Sequence, residues 1–145
     1  MLKNIKKENI RPTSIDLRLN KIFKLSKTKV DLERNILPEY KELNLPYTLK
    51  PNEYVLAQTI EEITQKTKKY ACLLSPRSRA FRVGLTIQTN FFGPYYEGPI
   101  TFGIKNISQN PIKITKELSL IQLVLFDIKG QTVPVKHDFQ SGRIL

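Results

Sequence analysis

The chain has 145 residues, of which 40% are apolar and 26% charged, with a formal net charge of +11; this is the profile of one globular domain, spanning 1–145, large enough to build a core without covalent staples. No apolar run approaches the roughly 20 residues of a membrane helix, and the polar start Met1-Leu2-Lys3-Asn4-Ile5-Lys6-Lys7 lacks the core of a signal peptide, so a cytoplasmic protein without a membrane partner is expected. The single cysteine, Cys72, excludes an intrachain disulfide, and the single histidine, His137, leaves little with which to build a Ser-His-Asp triad or a structural zinc site.

In chain order, residues 2–8 form a weak helix candidate, broken at Pro12. Residues 21–50 are lysine-rich, carry Pro38 and Pro46, and read as a long excursion with short strands. After the turn at 50–53, residues 54–60 read as a strand, and 71–74, 84–89, 99–105, 111–115 and 118–128 continue the series. In 101–105, Thr101, Gly103 and Lys105 alternate with Phe102 and Ile104, the period of a half-buried strand. Proline and glycine punctuate the gaps, as in a sandwich or barrel, so the expected class is all-β. Residues 129–145 read as a C-terminal arm. Cys72 lies in the apolar stretch 70–74 and reads as a buried small hydrophobe.

The basic residues are spread from Lys3, Lys6 and Lys7 through Arg11, Arg18 and Lys21 onward, with no aromatic-interleaved nucleic-acid motif, so specific nucleic-acid binding is not expected. The same charge suits polyanionic small molecules, nucleotides included. Chemistry concentrates at residues 76–98. There Arg77, Ser78 and Arg82 follow Pro76, and a Gly93-Pro94-Tyr95-Tyr96-Glu97-Gly98 turn comes one short strand later. Guanidinium forks and a hydroxyl suit phosphate oxygens, and an aromatic ring on a glycine-bounded turn suits a sugar or base. The bland alternative is a basic β-rich surface with ordinary turns.

Several motifs in the right order resemble the dCTP deaminase/dUTPase superfamily. Ser14-Ile15-Asp16-Leu17-Arg18-Leu19 is similar to its first motif, and residues 54–61 to its next strand. Arg77-Ser78 with Arg82, Gly84 and Leu85 has the spacing of the deaminase branch. Residues 96–106 resemble the third motif and Leu120-Ile121-Gln122-Leu123 the fourth. The resemblance implies a distorted β-barrel or jelly roll that assembles as a homotrimer, with sites between subunits. It implies triphosphate contacts from Arg77 and Ser78, the deaminase branch's second arginine in Arg82, and a polar site residue in Gln122. Asp16 would lie near Mg²⁺-bound phosphates and Tyr96 beneath the deoxyribose. Each has a plainer alternative: Asp16 could cap a turn, Gln122 could satisfy backbone, and Tyr96 could be ordinary packing. The family's arm, folded over the site, suggests a lid role for Phe139 and Arg143, a frayed terminus being the alternative.

Two acids are missing. The family's deaminating glutamate corresponds to Gly103, and the aspartate that activates water in the dUTPase branch corresponds to Gly93. Glu97 is the nearest carboxylate to the second position and a weak substitute. The expected function is binding of a dUTP- or dCTP-class nucleotide with Mg²⁺, with dUTP hydrolysis to dUMP and diphosphate as the reaction if the protein is catalytic. The alternatives are a non-catalytic paralogue that senses or sequesters nucleotide through a protein partner, and a deaminase-like enzyme with a displaced acid.

Overall fold

A computed structural model describes residues 2–64, 69–134 and 140–144. Eleven strands dominate it: β1 (Leu2–Lys3), β2 (Ile15–Leu25), β3 (Tyr40–Leu43), β4 (Tyr47–Leu49), β5 (Tyr54–Ile63), β6 (Tyr70–Pro76), β7 (Leu85–Gln88), β8 (Phe91–Phe92), β9 (Gly98–Asn106), β10 (Ile112–Ile114) and β11 (Ser119–Asp127). One five-residue helix, α1 (Ser78–Arg82), follows β6. The main sheet runs β7-β9-β5-β2-β11-β6-β8, with β1 added on β5 and β3 on β2, and β10 pairs β4 separately. No helix among the described residues is long and apolar enough to cross a membrane.

The long strand β2 organises the fold. Its first half pairs with β11 (Asp16↔Gln122, Leu17↔Ile121), and its second half with β5 and β3 (Ile22↔Ala57, Ile22↔Leu43). Register shifts interrupt the β2–β11, β2–β5 and β5–β9 ladders. Such bulges bend a strand and increase its twist, which curls one sheet around its own core. The core is filled by alternate residues: Val55 and Ala57 from β5, Ile100, Phe102 and Ile104 from β9, Ile121 and Leu123 from β11, all buried. Cys72 is buried with them.

The strand series expected from alternation is present, and the expected all-β, distorted barrel-like architecture is observed as a sheet curled around its core. The N-terminal helix expected at 2–8 is not. Leu2 and Lys3 instead pair with Ile63 and Glu62 on β5, and only a 3-10 turn, Lys7–Asn9, remains. An edge position on β5 gives Leu2 a tertiary partner, which outweighs the weak helical preference of a short lysine-rich segment.

The turn after α1 shows why its motif needs glycine. Gly84 has φ +87°, and a Cβ there would come within 2.6 Å of Ser108 Cβ. Ser108 is held by buried Asn106, whose Oδ1 accepts from the Ser108 backbone N–H (2.9 Å) and hydroxyl (2.8 Å). Asn106 Nδ2 in turn donates to the carbonyls of Leu49 and Asn110.

Candidate functional site

The first group of expected site residues meets where β2, β11 and β6 run side by side. Asp16 on β2 faces Gln122 on β11, which faces Ser75 on β6. Beyond Pro76, Arg77 keeps an extended backbone as the residue before α1, and its N–H is tied to the Leu120 carbonyl at 2.9 Å. That geometry points the Arg77 guanidinium back to Asp16, Nη1 to Oδ2 at 2.9 Å. Arg11 reaches the same oxygen through Nε (2.9 Å) and Nη2 (2.8 Å). Ser14 donates to Gln122 Oε1 at 3.0 Å.

Asp16 is buried, 2% exposed, while the side chains of Arg11 and Arg77 remain 48% and 35% exposed. A buried carboxylate is tolerated only when well paired, so Asp16 fixes two guanidiniums and leaves the group with a net charge of about +1. The arginines keep solvent-facing donors, as an incoming anion requires. Ser78 and Arg82 are exposed on α1. Among the described residues neither is hydrogen-bonded or ion-paired to this group.

The second group lies elsewhere. Tyr96 is buried, its ring 4.8 Å from that of Phe92, and its hydroxyl donates to the Pro99 carbonyl. Burial pushes this phenol up to about 12. Tyr96 and Phe92 line a cavity of about 200 Å³ together with Tyr40, Asn90, Thr101 and Arg143. Arg143 arrives on the C-terminal segment, which is docked by the Ser141 N–H on the Glu97 carbonyl (2.8 Å) and by Gln58 Nε2 on the Gly142 carbonyl (2.7 Å). Gly98, at φ +115°, permits that contact, since a Cβ there would stand 2.7 Å from Ser141 Cα. The Glu97 side chain is exposed and is not among the cavity's walls. Phe139 lies outside the described residues.

The surroundings of Gly93 and Gly103 differ. A Cβ at Gly93 would have no atom within 4 Å. A Cβ at Gly103 would stand 2.8 Å from Tyr54 Cε2 and 2.9 Å from Cζ, with the Tyr54 hydroxyl closer still. Tyrosine thus fills the space that a side chain at 103 would enter.

The expected site residues therefore divide into two groups: Asp16, Arg77 and Gln122 in one, Tyr96 and Arg143 in the other. None of the walls of the Tyr96 cavity belongs to the first group, whose partners Arg11 and Ser14 line a separate open pocket with Ile15 and Leu123. Arg11 and Ser14 were not expected as partners of Asp16 and Gln122, although Ser14 opens the first motif and Arg11 stands three residues before it. Nor was Tyr54 expected beside Gly103, since no local signal exists for it.

Residues 1–128 match a family described as dCTP deaminase-like. Among curated relatives, the dUMP-forming dCTP deaminase of Streptomyces coelicolor is 32% identical over 147 residues, covering 92% of this chain and 73% of that protein. That of Nanoarchaeum equitans is also 32% identical, over 159 residues, covering 92% and 77%. Among solved structures, the 2'-deoxycytidine 5'-triphosphate deaminase of Agrobacterium tumefaciens superposes with a TM-score of 0.68 at 16% identity, covering 86% of this chain and 43% of that one. The EIAV dUTPase superposes at 0.60 and 15% identity, covering 95% and 98%. At these identities the superpositions show the fold alone, whereas the family match and the curated relatives show descent. The chain belongs to the dCTP deaminase-like family, within the dCTP deaminase/dUTPase superfamily.

Proposed function

We propose that this protein binds a pyrimidine deoxynucleoside triphosphate of the dUTP/dCTP class with Mg²⁺, as a homotrimer in which one subunit's arginine group and another's Tyr96 cavity complete a site. The observation that carries this reading is the preformed Arg11–Asp16–Arg77 group, two oriented and solvent-facing guanidiniums held by one buried carboxylate. Arg77 and Arg11 hold phosphate oxygens; Gln122, oriented by Ser14, adds a polar contact; Ser78 and Arg82 lie on the exposed face of the same short helix. Tyr96, rigid and neutral, supplies a flat wall for the sugar. Arg143 on the docked tail adds a cation to that cavity.

Among the described residues no three His, Cys, Asp or Glu side chains lie together to hold a metal ion. Asp16 is already committed to two arginines. Mg²⁺ would therefore ride on the triphosphate, with Asp16 positioning the arginines around it. The ion would neutralise phosphate charge.

If the site turns nucleotide over, the reaction is attack of water on the α-phosphorus with departure of diphosphate, giving dUMP. Positioning and charge neutralisation outlast the loss of a general base, whose absence costs about 10²–10⁴-fold in rate. Deamination needs a proton carrier at C4 of the base, and glycine at 103 has none. The occupied space beside Gly103 favours a second reading, a non-catalytic paralogue that retains nucleotide and signals through a protein partner. A deaminase with a displaced acid would require a carboxylate in the cavity, and none of its walls among the described residues is one.

Calorimetric titration of dUTP with Mg²⁺ tests the reading. Saturable binding that weakens about 10–100-fold in Arg77→Ala is expected, the worth of charge-assisted hydrogen bonds. Failure of both dUTP and dCTP to bind the unsubstituted protein would overturn it.

A further inference from the structure

The phenol of Tyr54 occupies the space beside Gly103, and its surroundings give it a role beyond filling. Thr101, Gly103 and Lys105 share one face of β9, and Thr101 lines the Tyr96 cavity. Tyr54 and Leu56 share a face of β5, where Leu56 pairs with Gly103 and also lines the cavity. Tyr54 is not itself a wall of that cavity, but it adjoins two residues that are, Leu56 on its own strand face and Tyr40. Tyr40, another wall, is close enough to act on it electrostatically. Burial and then Tyr40 raise the pKa of Tyr54, so the group stays a neutral hydroxyl at physiological pH. Among the described residues it has no hydrogen-bond partner.

We infer that Tyr54 is a specificity-determining residue of the nucleotide cavity, its hydroxyl donating to the 4-oxo group of a uracil-type base and so favouring dUTP over dCTP. The inference rests on the nucleotide-binding reading above. Its chemistry is simple. An ionised carboxylate only accepts hydrogen bonds and suits the exocyclic amino group at C4 of cytosine; a phenol has a proton to give and suits the carbonyl at the same position of uracil. Replacing Glu by Gly at 103 and placing tyrosine over the gap exchanges an acceptor for a donor. Because a hydroxyl can also accept, the discrimination is that of one neutral hydrogen bond, roughly 3–10-fold.

The test is calorimetric titration of the full chain with dUTP and with dCTP, each with Mg²⁺, for the unsubstituted protein, Tyr54→Phe and Arg77→Ala. Phenylalanine keeps the ring over Gly103, so the fold is preserved, as an unchanged Tm would verify. The unsubstituted protein should prefer dUTP. Tyr54→Phe should weaken dUTP about 3–10-fold and dCTP less than about twofold, erasing the preference. Arg77→Ala should weaken both alike. Unchanged dUTP affinity in Tyr54→Phe, or equal losses for the two nucleotides, would overturn the inference while the Arg77 effect leaves the binding reading intact. No binding of either nucleotide by the unsubstituted protein would remove both. The occupancy is tested separately: Gly103→Ala should lower Tm markedly beside Tyr54 and far less in a Tyr54→Ala background. Equal losses in the two backgrounds would show that Tyr54 does not fill the space.

Discussion

At the scale of single residues, Gly93 and Gly103, which the family resemblance aligns with acids, have surroundings that make opposite demands. Open space around a Cβ at Gly93 means that an aspartate can be introduced there without a clash at its first side-chain carbon. Gly93→Asp is therefore expected to raise diphosphate release from dUTP by about 10²–10⁴-fold, the usual worth of a general base; a folded variant with no gain in a continuous diphosphate assay would show that more than the base is missing. Gly103→Glu meets the Tyr54 ring and should cost about 1–3 kcal/mol or more in stability, as overpacking does. Cys72 offers a check on the core. Burial pushes its thiol from the ordinary 9.0 up to about 11. Because the unfolded chain loses that proton first, the thiol's contribution to stability is complete below pH 9 and disappears as pH rises toward 11. Thermal melts should fall across that window, and Cys72→Ala should show a shallower fall than the unsubstituted protein; parallel falls would contradict the assignment.

At the scale of elements, the bend in β2 is braced by a buried ion pair between its Arg18 and Glu61 of β5. Glu61 accepts from the Arg18 backbone N–H and Nε, both at 2.7 Å. Arg18 also donates to the Asn4 carbonyl, which fastens the N-terminal segment. Removing Glu61 leaves buried Arg18 with only the longer contact to Glu117 (3.7 Å) and the Asn4 carbonyl, so Glu61→Ala should cost about 3–5 kcal/mol in denaturant unfolding. A loss below about 1 kcal/mol would mean that Arg18 finds solvent or another acid.

The strands were legible because their signal is local. Alternation in Thr101 to Lys105 and apolar runs such as 71–74 carry the burial pattern directly. The start of the chain was not, because Leu2 is a strand residue only by virtue of Ile63 far along the sequence. The same holds for the site. Arg77, Asp16 and Gln122 are recognisable from motif spacing, and they do meet. Arg11 becomes a partner of Asp16 only through the bend preceding β2, and the contact between Tyr54 and Gly103 depends on the β5–β9 register. Short motifs do not encode these non-local contacts.

At the scale of the molecule, the +11 charge and the arginine group favour polyanionic ligands, while neither Arg11 nor Arg77 is among the walls of the Tyr96 cavity. Assembly as a trimer is the proposal that would join arginine group and cavity in one site. The most direct measurement is to mix purified protein with dCTP or dUTP and Mg²⁺ and follow ammonia and diphosphate together. No ammonia should appear from dCTP, and any diphosphate from dUTP should appear at least about 10²–10⁴-fold more slowly than from an ordinary enzyme. Ammonia released from dCTP at an ordinary enzymatic rate would contradict the account.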